Sequence, residues 1–228
     1  ADLDFTGAAD IADLVGAAFG EEGGDDDALN ESVDFLKRAF TNEKTAPELL
    51  PFEGELINEL VEQIHRQQSI IDEECDSADE KFAIGLYQME IDRLKYLIAS
   101  YLRVRLRKIE RFAPYLLSSD SARRRLSERE AAYAEKFAAL TEEHFQRSAL
   151  NEVPATARSL TEQNDFVRML PYPDLDRFVF CTVNRSVGTV QLGDGDDAQE
   201  LDFQEGESYI LRYRAIRHLA ADGSVDLF

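Results

Sequence analysis

Three histidines are the residues of this chain best suited to hold a metal or move a proton. His65, His144 and His218 lie far apart in sequence, on three separate predicted helices, and none belongs to an H-E-x-x-H pattern. Zinc sites use short, characteristic ligand spacings, and these histidines have none of them. We therefore interpret them as surface or partly buried side chains, and we predict no metal and no cofactor.

Two short acidic motifs suggest calcium binding or acid catalysis. The segment Gly193–Asp197 (GDGDD) lacks the D-x-[DN]-x-[DN]-G order and the closing glutamate of a calcium loop, and its composition is typical of a hairpin turn. Asp174 and Asp176 could pair as carboxylates, but no other catalytic pattern accompanies them, so turn-forming roles are favoured. No phosphate-binding glycine motif occurs. The chain is predicted not to be an enzyme.

The segment RVRLRKIER is the strongest candidate for binding a ligand, because its basic side chains could contact phosphates. Residues 93–125 carry ten basic groups against two acidic ones, a local net charge of +8. At helical spacing Arg103, Arg107 and Arg111 share one face, and apolar residues are interleaved with them. Pairing with acidic groups of neighbouring helices or of a partner subunit is favoured over DNA.

The rest of the chain is strongly acidic, with a net charge of -21 over 228 residues. Residues 1–31 hold ten acidic side chains and no basic one. A surface of this charge repels nucleic acid and membrane phosphates, so DNA contact is expected to be at most indirect and no membrane partner is expected.

The acidic leader, residues 1–30, also contains one apolar stripe. Ile11, Leu14, Val15 and Phe19 recur at helical spacing in a segment that is otherwise too polar to fold alone. Two interpretations stay open: a short helix that docks on another protein, or a chance cluster in a disordered tail.

Helical periodicity dominates from Asn30 to about residue 150. The first helix contains Val33, Leu36 and Phe40, and the PELLP segment ends it. A second amphipathic helix follows, with a single polar interruption at Gln68. Its stripe consists of Ile57, Leu60, Val61, Ile64 and Ile71.

The segment 79–112 predicts a helix that is apolar on two faces and must be covered on two sides. One stripe contains Phe82, Leu86, Met89, Leu97, Tyr101 and Val104, and the other Tyr87, Ile91, Leu94, Ile98, Leu102 and Ile109. We expect Leu97 and Tyr101 to be buried, and this helix to form both the core of the chain and its main interface with partners.

A polar loop is predicted after Pro114, and the S-x-x-E spacing of Ser127 and Glu130 predicts the capping box of a further helix. Its expected core face comprises Ala131, Ala134, Phe137, Ala138, Leu140 and Phe145.

Beyond the polar stretch 151–165 the apolar period changes from about 3.6 to about 2, which marks a domain boundary. The segments RFVFCTVN, VGTVQL and SYILRYR are predicted strands. RAIRHLAADG predicts a short helix closed by Gly223, and SVDLF a terminal strand. Because Val225, Leu227 and Phe228 are apolar to the very end, we predict a docking role for this terminus.

Cysteine usage and hydropathy give an expectation about the compartment. Cys75 and Cys181 form no C-x-x-C pattern, and no apolar run is long enough to span a bilayer. We expect a soluble intracellular protein in a reducing environment.

Four long motifs occur together and in order: NEKTAPELL, QMEIDRLKYLIASYLRVRLRKIERF, PDLDRFVFCTV and YILRYRAIRHLAADGSVDLF. They resemble the Sld-five-type subunit of GINS from about Val33 to Phe228. The chain departs from that pattern in the loop 118–125, in the hairpin region 187–206 and throughout the leader.

The resemblance implies an α+β protein, with an N-terminal helical bundle, the A domain, followed by a small β-rich C-terminal B domain. On the numbering of this chain we expect a leader at 1–30, the A domain at 31–150, a linker at 151–165 and the B domain at 166–228.

The resemblance further implies a nuclear, non-catalytic subunit of a heterotetramer with three other GINS subunits. That tetramer would join the MCM hexamer and the Cdc forty-five protein in the replicative helicase, with polymerase epsilon nearby. The leader stripe resembles the short peptide by which fungal subunits of this type engage the trimeric Ctf-four hub. The alternative is a free-standing helical adaptor that binds nucleic acid through the basic region from Arg103 to Arg125.

Overall fold

The computed structural model describes residues 25–71, 78–154, 158, 160, 163–164, 167–192 and 199–228. Helices come first and strands follow, which confirms the predicted α+β class. The helices are α1 (Asp25–Thr45), α2 (Gly54–Ile71), α3 (Ala78–Ser118), α4 (Asp120–Arg123), α5 (Glu128–Phe145) and α6 (Tyr213–Ala221), with a π-helical turn at Gln146–Leu150. The strands are β1 (Gln163–Asn164), β2 (Val167–Arg168), β3 (Phe178–Val183), β4 (Gly188–Leu192), β5 (Gln199–Phe203), β6 (Ser208–Arg212) and β7 (Val225–Leu227).

Contacts divide the chain into two compact units. Unit 1 contains the described residues up to Lys37 together with Glu55–Ile98, and unit 2 contains Arg38–Gly54 and Ala99–Phe228. Helices α1 and α3 each contribute one part to each unit. The domain boundaries predicted at residues 31, 151 and 166 stay predictions.

Unit 1 is built from three amphipathic helical segments. Its buried apolar side chains follow the predicted stripes: Val33 and Leu36 of α1, Ile57, Leu60 and Ile64 of α2, and Ile91, Leu94 and Ile98 of α3. Gln68, the polar interruption of the α2 stripe, donates from its amide to Gln88 and accepts from the Lys95 ammonium, both at 3.1 Å. Polar contacts between α2 and α3 therefore replace the apolar contact at that position.

Helix α3 extends six residues beyond the predicted end at Phe112, because a kink accommodates the proline. Phe112 has non-helical backbone angles, φ -115° and ψ 15°. Pro114 therefore lies in the first turn of a new helical segment, where its missing N–H leaves no hydrogen bond unmade. The polar loop expected directly after Pro114 is wrong, since the chain stays helical to Ser118.

The predicted capping box of α5 is confirmed. Ser127 Oγ accepts from the Glu130 N–H, and the Glu130 carboxylate accepts from the Ser127 N–H. Only the first part of its predicted core face is covered, with Ala134 fully buried. Leu140 and Phe145 were predicted to be core residues, but they are exposed, because no described element of the chain covers the far end of α5.

The strands in the described part of the C-terminal region form three small antiparallel sheets. The largest has the order β6-β3-β7, with Phe180 opposite Ile210 and Thr182 opposite Asp226. Strands β4 and β5 pair with each other, as do the short strands β1 and β2. The three predicted strands and the terminal strand are confirmed, whereas β1, β2 and β5 were not predicted.

Helix α6 packs against the main sheet and ends as predicted. Tyr213, Ile216 and Leu219 form its buried face. Gly223 has a φ of +69°, which lets the Ser224 N–H reach back to the Leu219 carbonyl at 3.0 Å. The chain thereby reverses directly into β7.

Two apolar cores lie among the described residues of unit 2. The first gathers the sheet and α6 and includes Ala46, with Leu50 packed against it. The second lies among α3, α4 and α5 and includes Leu49. The segment 46–50, which we call the strap, therefore contributes side chains to both cores.

Candidate partner interfaces

The part of α3 that lies in unit 1 has one buried face and one exposed apolar face. Phe82, Leu86, Met89 and Tyr96 recur at steps of three, four and seven residues, and each is between 50% and 68% exposed. Contiguous exposed apolar rows of this kind mark interaction surfaces. We call this row the α3 apolar face.

Leu97 and Tyr101, which sequence analysis assigned to the interface, have different environments. Tyr101 is buried, and its hydroxyl accepts a hydrogen bond from the Glu53 N–H at 3.4 Å. Burial raises the pKa of Tyr101 to about 12. Leu97 is only partly buried, so the expectation that both are core residues is confirmed for Tyr101 alone.

Arg105 is a buried member of the basic run. Its guanidinium donates to Glu130 at 2.7 and 3.0 Å, to Glu43 at 2.9 Å, and to the Leu50 and Arg125 carbonyls at 2.8 and 2.9 Å. Burial by itself lowers the pKa of Arg105, but the bonds to Glu130 and the charge of Glu43 raise it above its ordinary value. This arginine organises the inside of the chain and is closed to ligands.

Lys108 is held in the same network. Its ammonium contacts the Glu43 carboxylate at 2.7 Å, the Glu43 carbonyl, and the Glu48 carbonyl at 2.7 Å. Burial lowers the pKa of Lys108, and the negative charge of Glu43 opposes this effect. Part of the basic run therefore neutralises acidic groups of its own chain.

Arg103, Arg107 and Arg111 are instead exposed on the surface of unit 2. They follow one another at steps of four residues along α3, and so project from one side of the helix. Across the part of the chain that the structure describes, none of them has an ion pair with a carboxylate. We call these three residues the arginine stripe.

Glu48, in the strap, is the second buried acidic centre of unit 2. It forms ion pairs with Arg125 at 2.7 Å and with Arg217 at 2.6 Å, and it accepts a hydrogen bond from the Tyr213 hydroxyl at 3.0 Å. Burial and the Glu48 charge raise the pKa of Tyr213, while the hydrogen bond to Glu48 raises that of Arg217. The Glu48 carboxylate therefore links the strap to the helical region, at Arg125, and to α6.

The terminal strand β7 is fixed to α1. Arg38 donates to both carboxylate oxygens of Asp226, at 2.7 and 3.1 Å, and Asn42 donates to the same carboxylate at 3.2 Å. The Leu227 N–H donates to Asn42 at 2.7 Å. Val225 and Leu227 are buried in the sheet core.

Phe228, the last predicted docking residue, lies on the opposite, outer face of the main sheet. Its ring is 5.8 Å from that of Phe180, and Phe178 and Ile210 lie on the same face. All four side chains are more than half exposed. The terminus thus contributes to the core through two residues and to an exposed apolar face through one.

The remaining predicted sites give no described geometry. The four hub-peptide residues lie outside the described residues: Ile11, Leu14, Val15 and Phe19. The segment Gly193–Asp197 also lies outside them, although the strands on either side of it, β4 and β5, are described. Within the described ranges no group of three or more His, Cys, Asp and Glu residues is placed to hold a metal ion. No described helix has the length and apolar character to cross a membrane.

Sequence reasoning missed the buried charges. Glu43, Glu48, Arg105 and Glu130 carry no periodic signal as charged core residues, because patterns of polarity place such residues on the surface. One signal of this burial was available in the sequence. Glu48 follows a proline and precedes two leucines, whereas a solvent-exposed loop does not need apolar neighbours of this kind.

Comparison with known protein families matches both parts of the chain. Residues 32–149 match the model described as "GINS complex protein helical bundle domain", and residues 173–228 match "DNA replication complex GINS protein SLD5 C-terminus".

Several relatives bear the name "DNA replication complex GINS protein SLD5", including those of Arabidopsis thaliana, Bos taurus and Homo sapiens. The Arabidopsis thaliana protein is 36% identical over 198 residues, covering 86% of this chain and 90% of the relative. The Bos taurus protein is 32% identical over 231 residues, covering 96% and 99%. The Homo sapiens protein is 33% identical over 205 residues, covering 86% and 89%.

Proposed function

The chain belongs to the SLD5 family of GINS complex proteins, which serve DNA replication, and we propose that it is a non-catalytic structural subunit of the GINS heterotetramer. In this proposal three other GINS subunits cover the surfaces that the isolated chain leaves apolar. The assembled tetramer then joins the MCM hexamer and the Cdc forty-five protein in the replicative helicase, near polymerase epsilon, in the nucleus.

The α3 apolar face is the observation that carries this proposal. Phe82, Leu86 and Met89 are exposed on a helix whose opposite face, with Ile91 and Leu94, already forms the core of unit 1. The folded chain therefore keeps an apolar row that its own core does not need. An obligate subunit accounts for such a row, since interfaces of permanent complexes resemble a core divided between two chains.

Co-expression with the three other GINS subunits tests the proposal. The wild-type chain should elute in size-exclusion chromatography as an equimolar heterotetramer. A triple variant, Phe82→Ser, Leu86→Ser and Met89→Ser, should lose a subunit because each serine removes buried apolar area from the interface.

The matched control replaces three exposed apolar residues outside α3 in the same way: Ile70→Ser, Leu140→Ser and Val187→Ser. This control should assemble like the wild type. A triple α3 variant that also assembles normally, at the wild-type elution volume and stoichiometry, contradicts the proposed interface.

The arginine stripe and Leu97 are assigned to contacts with partner subunits, and Tyr101 to supporting that region from inside the chain. At the C-terminus we propose a second docking face, formed by Phe228 together with Phe178, Phe180 and Ile210. Removing residues 224–228 should weaken assembly, because it deletes Phe228 together with two core residues of the sheet.

We assign the leader to a different partner. Ile11, Leu14, Val15 and Phe19 are proposed to dock as a short helix in a groove of the trimeric Ctf-four hub. Their apolar spacing within an acidic segment supports this assignment.

A further inference from the structure

The arginine stripe differs chemically from the other basic residues around it. Arg105, Lys108 and Arg125 each bind a glutamate of their own chain. Arg103, Arg107 and Arg111 are exposed, and within the described ranges no carboxylate lies at ion-pair distance from them. The neighbouring Glu110 instead accepts a hydrogen bond from the Tyr133 hydroxyl, at 2.7 Å.

The spacing of the stripe makes it unfavourable for the chain on its own. Like charges four residues apart on a helix repel each other, so three successive arginines destabilise the segment that carries them. One step of four residues rises about 6 Å along a helix, and the stripe therefore spans roughly 12 Å. A ligand with several negative charges at similar intervals would remove the repulsion.

We propose that the arginine stripe binds an acidic helix of a partner GINS subunit, with carboxylates repeated about once per helical turn. This inference rests on the proposed function and specifies the chemistry of the partner at this site. Arginine suits it because the planar guanidinium binds a carboxylate through two parallel hydrogen bonds, which a lysine ammonium does not.

Two features favour a protein partner over nucleic acid. Leu102, Val104 and Leu106 are partly exposed next to Arg103 and Arg107 along the helix, and apolar side chains interleaved with arginine are typical of protein interfaces. The chain as a whole has a net charge of -21, which repels a polyanionic duplex more strongly than a helix carrying a few carboxylates.

The test compares the affinity of the purified chain for its partner subunits at several salt concentrations, by co-elution and calorimetry. The stripe variant carries Arg103→Glu, Arg107→Glu and Arg111→Glu. We expect its affinity to fall about a hundredfold at low salt, because each attractive pair becomes repulsive. Wild-type affinity should fall as salt rises, whereas the affinity of the stripe variant should rise with salt, because salt screens its repulsion.

Three further samples complete the design. A control variant, Arg66→Glu, Arg129→Glu and Arg177→Glu, makes the same change in net charge at other exposed arginines and should keep the wild-type affinity. A neutral variant with glutamine at the three stripe positions guards against misfolding and should fall between wild type and the stripe variant. A lysine variant should bind more weakly than wild type, because it keeps the charge but loses the two-bond geometry.

The outcomes separate this inference from the proposed function. The inference about the arginine stripe is wrong if the glutamine and glutamate variants assemble with wild-type affinity and salt dependence. The subunit assignment then still stands. Binding of a duplex oligonucleotide that depends on the stripe, together with normal assembly, also overturns the inference and assigns the stripe to nucleic acid. Failure of the wild-type chain to associate with any GINS subunit rejects the proposed function and this inference with it.

Discussion

Arg217 donates two hydrogen bonds to opposite oxygens of Glu48, at 2.6 and 2.7 Å, across 169 positions of sequence. Glu48 is almost fully buried and also binds Arg125. Its neighbours Leu49 and Leu50 pack against different cores of unit 2. The pair therefore fastens the last helix to the strap at the place where both cores meet the same short segment.

Replacing this carboxylate should loosen unit 2. The change Glu48→Gln leaves two guanidinium groups and the Tyr213 hydroxyl with a neutral partner, and we expect a loss of roughly 1 to 3 kcal/mol in the free energy of unfolding. Urea unfolding followed by circular dichroism measures it. Glu142→Gln, at an exposed position of α5, is the control and should change stability by less than about 0.5 kcal/mol. Equal stability of both variants contradicts the role given to Glu48.

Periodic features of the sequence predicted much of the fold. The stripes of α1, α2 and α3, the Ser127 capping box and the Gly223 helix end all depend on local spacing, and each occurs in the structure. These features are predictable from sequence because each depends only on a residue and its neighbours three or four positions away.

Features that depend on distant partners were not predictable in this way. The burial of Arg105 requires Glu43 and Glu130, which come from two other segments of the chain. The strand β5 was missed because its alternation is short, with only Leu201 and Phe203 apolar, and directly follows a segment rich in Gly and Asp that is typical of a turn. The exposure of Leu140 was not predictable either, because a helical stripe of apolar residues does not reveal whether the same chain or a partner covers that stripe.

The buried arginine gives the second prediction. Arg105→Leu leaves Glu130 without its cation and Glu43 with Lys108 alone, and we expect a loss of about 3 to 5 kcal/mol, the range for removing one partner of a buried ion pair. Arg103→Leu, two positions earlier on the exposed side of α3, should change the stability of the isolated chain by less than about 0.5 kcal/mol. Thermal unfolding of both variants tests the contrast, and similar melting temperatures would argue against a buried network.

The two faces of α3 give the third prediction. Ile91→Ala removes a core side chain and should cost about 2 to 5 kcal/mol, whereas Leu97→Ala should cost less because Leu97 is only partly buried. Met89→Ala should leave the stability of the isolated chain nearly unchanged but weaken assembly. Urea unfolding and size-exclusion chromatography separate these effects. A large loss of stability in the Met89 variant would show that this face is internal.

The leader gives the fourth prediction. A peptide of residues 2–22 should bind the trimeric hub weakly, because a short segment must order itself on docking. Changing Ile11 and Leu14 to Ala should abolish binding, since both belong to the apolar stripe. Calorimetry measures both peptides, and binding should weaken as salt rises. Equal affinity of the two peptides rejects the docking helix without affecting the subunit assignment.

Acid should release the terminal strand through Asp226. Burial by itself raises the pKa of this carboxyl, but the hydrogen bonds from Arg38 and Asn42 lower it below the ordinary value of 3.8. A carboxyl whose pKa is lower in the folded than in the unfolded chain contributes stability above its unfolded pKa. That contribution is lost as the pH falls through the folded pKa.

The pH dependence is measured as a difference, because many other carboxyls titrate in the same range. At about pH 7, Asp226→Asn should reduce the free energy of unfolding by roughly 1 to 3 kcal/mol, since two guanidinium hydrogen bonds to a charged acceptor are lost. The difference between wild type and variant should shrink as the pH falls below about 4. Asp34→Asn, at an exposed pair with Lys37, should show little difference at any pH. Hydrogen exchange at the Leu227 amide, which donates to Asn42, should speed up in the Asp226 variant at neutral pH and match the wild type in acid. A stability difference that persists unchanged into acid would mean that the negative charge of Asp226 does not hold β7 in place.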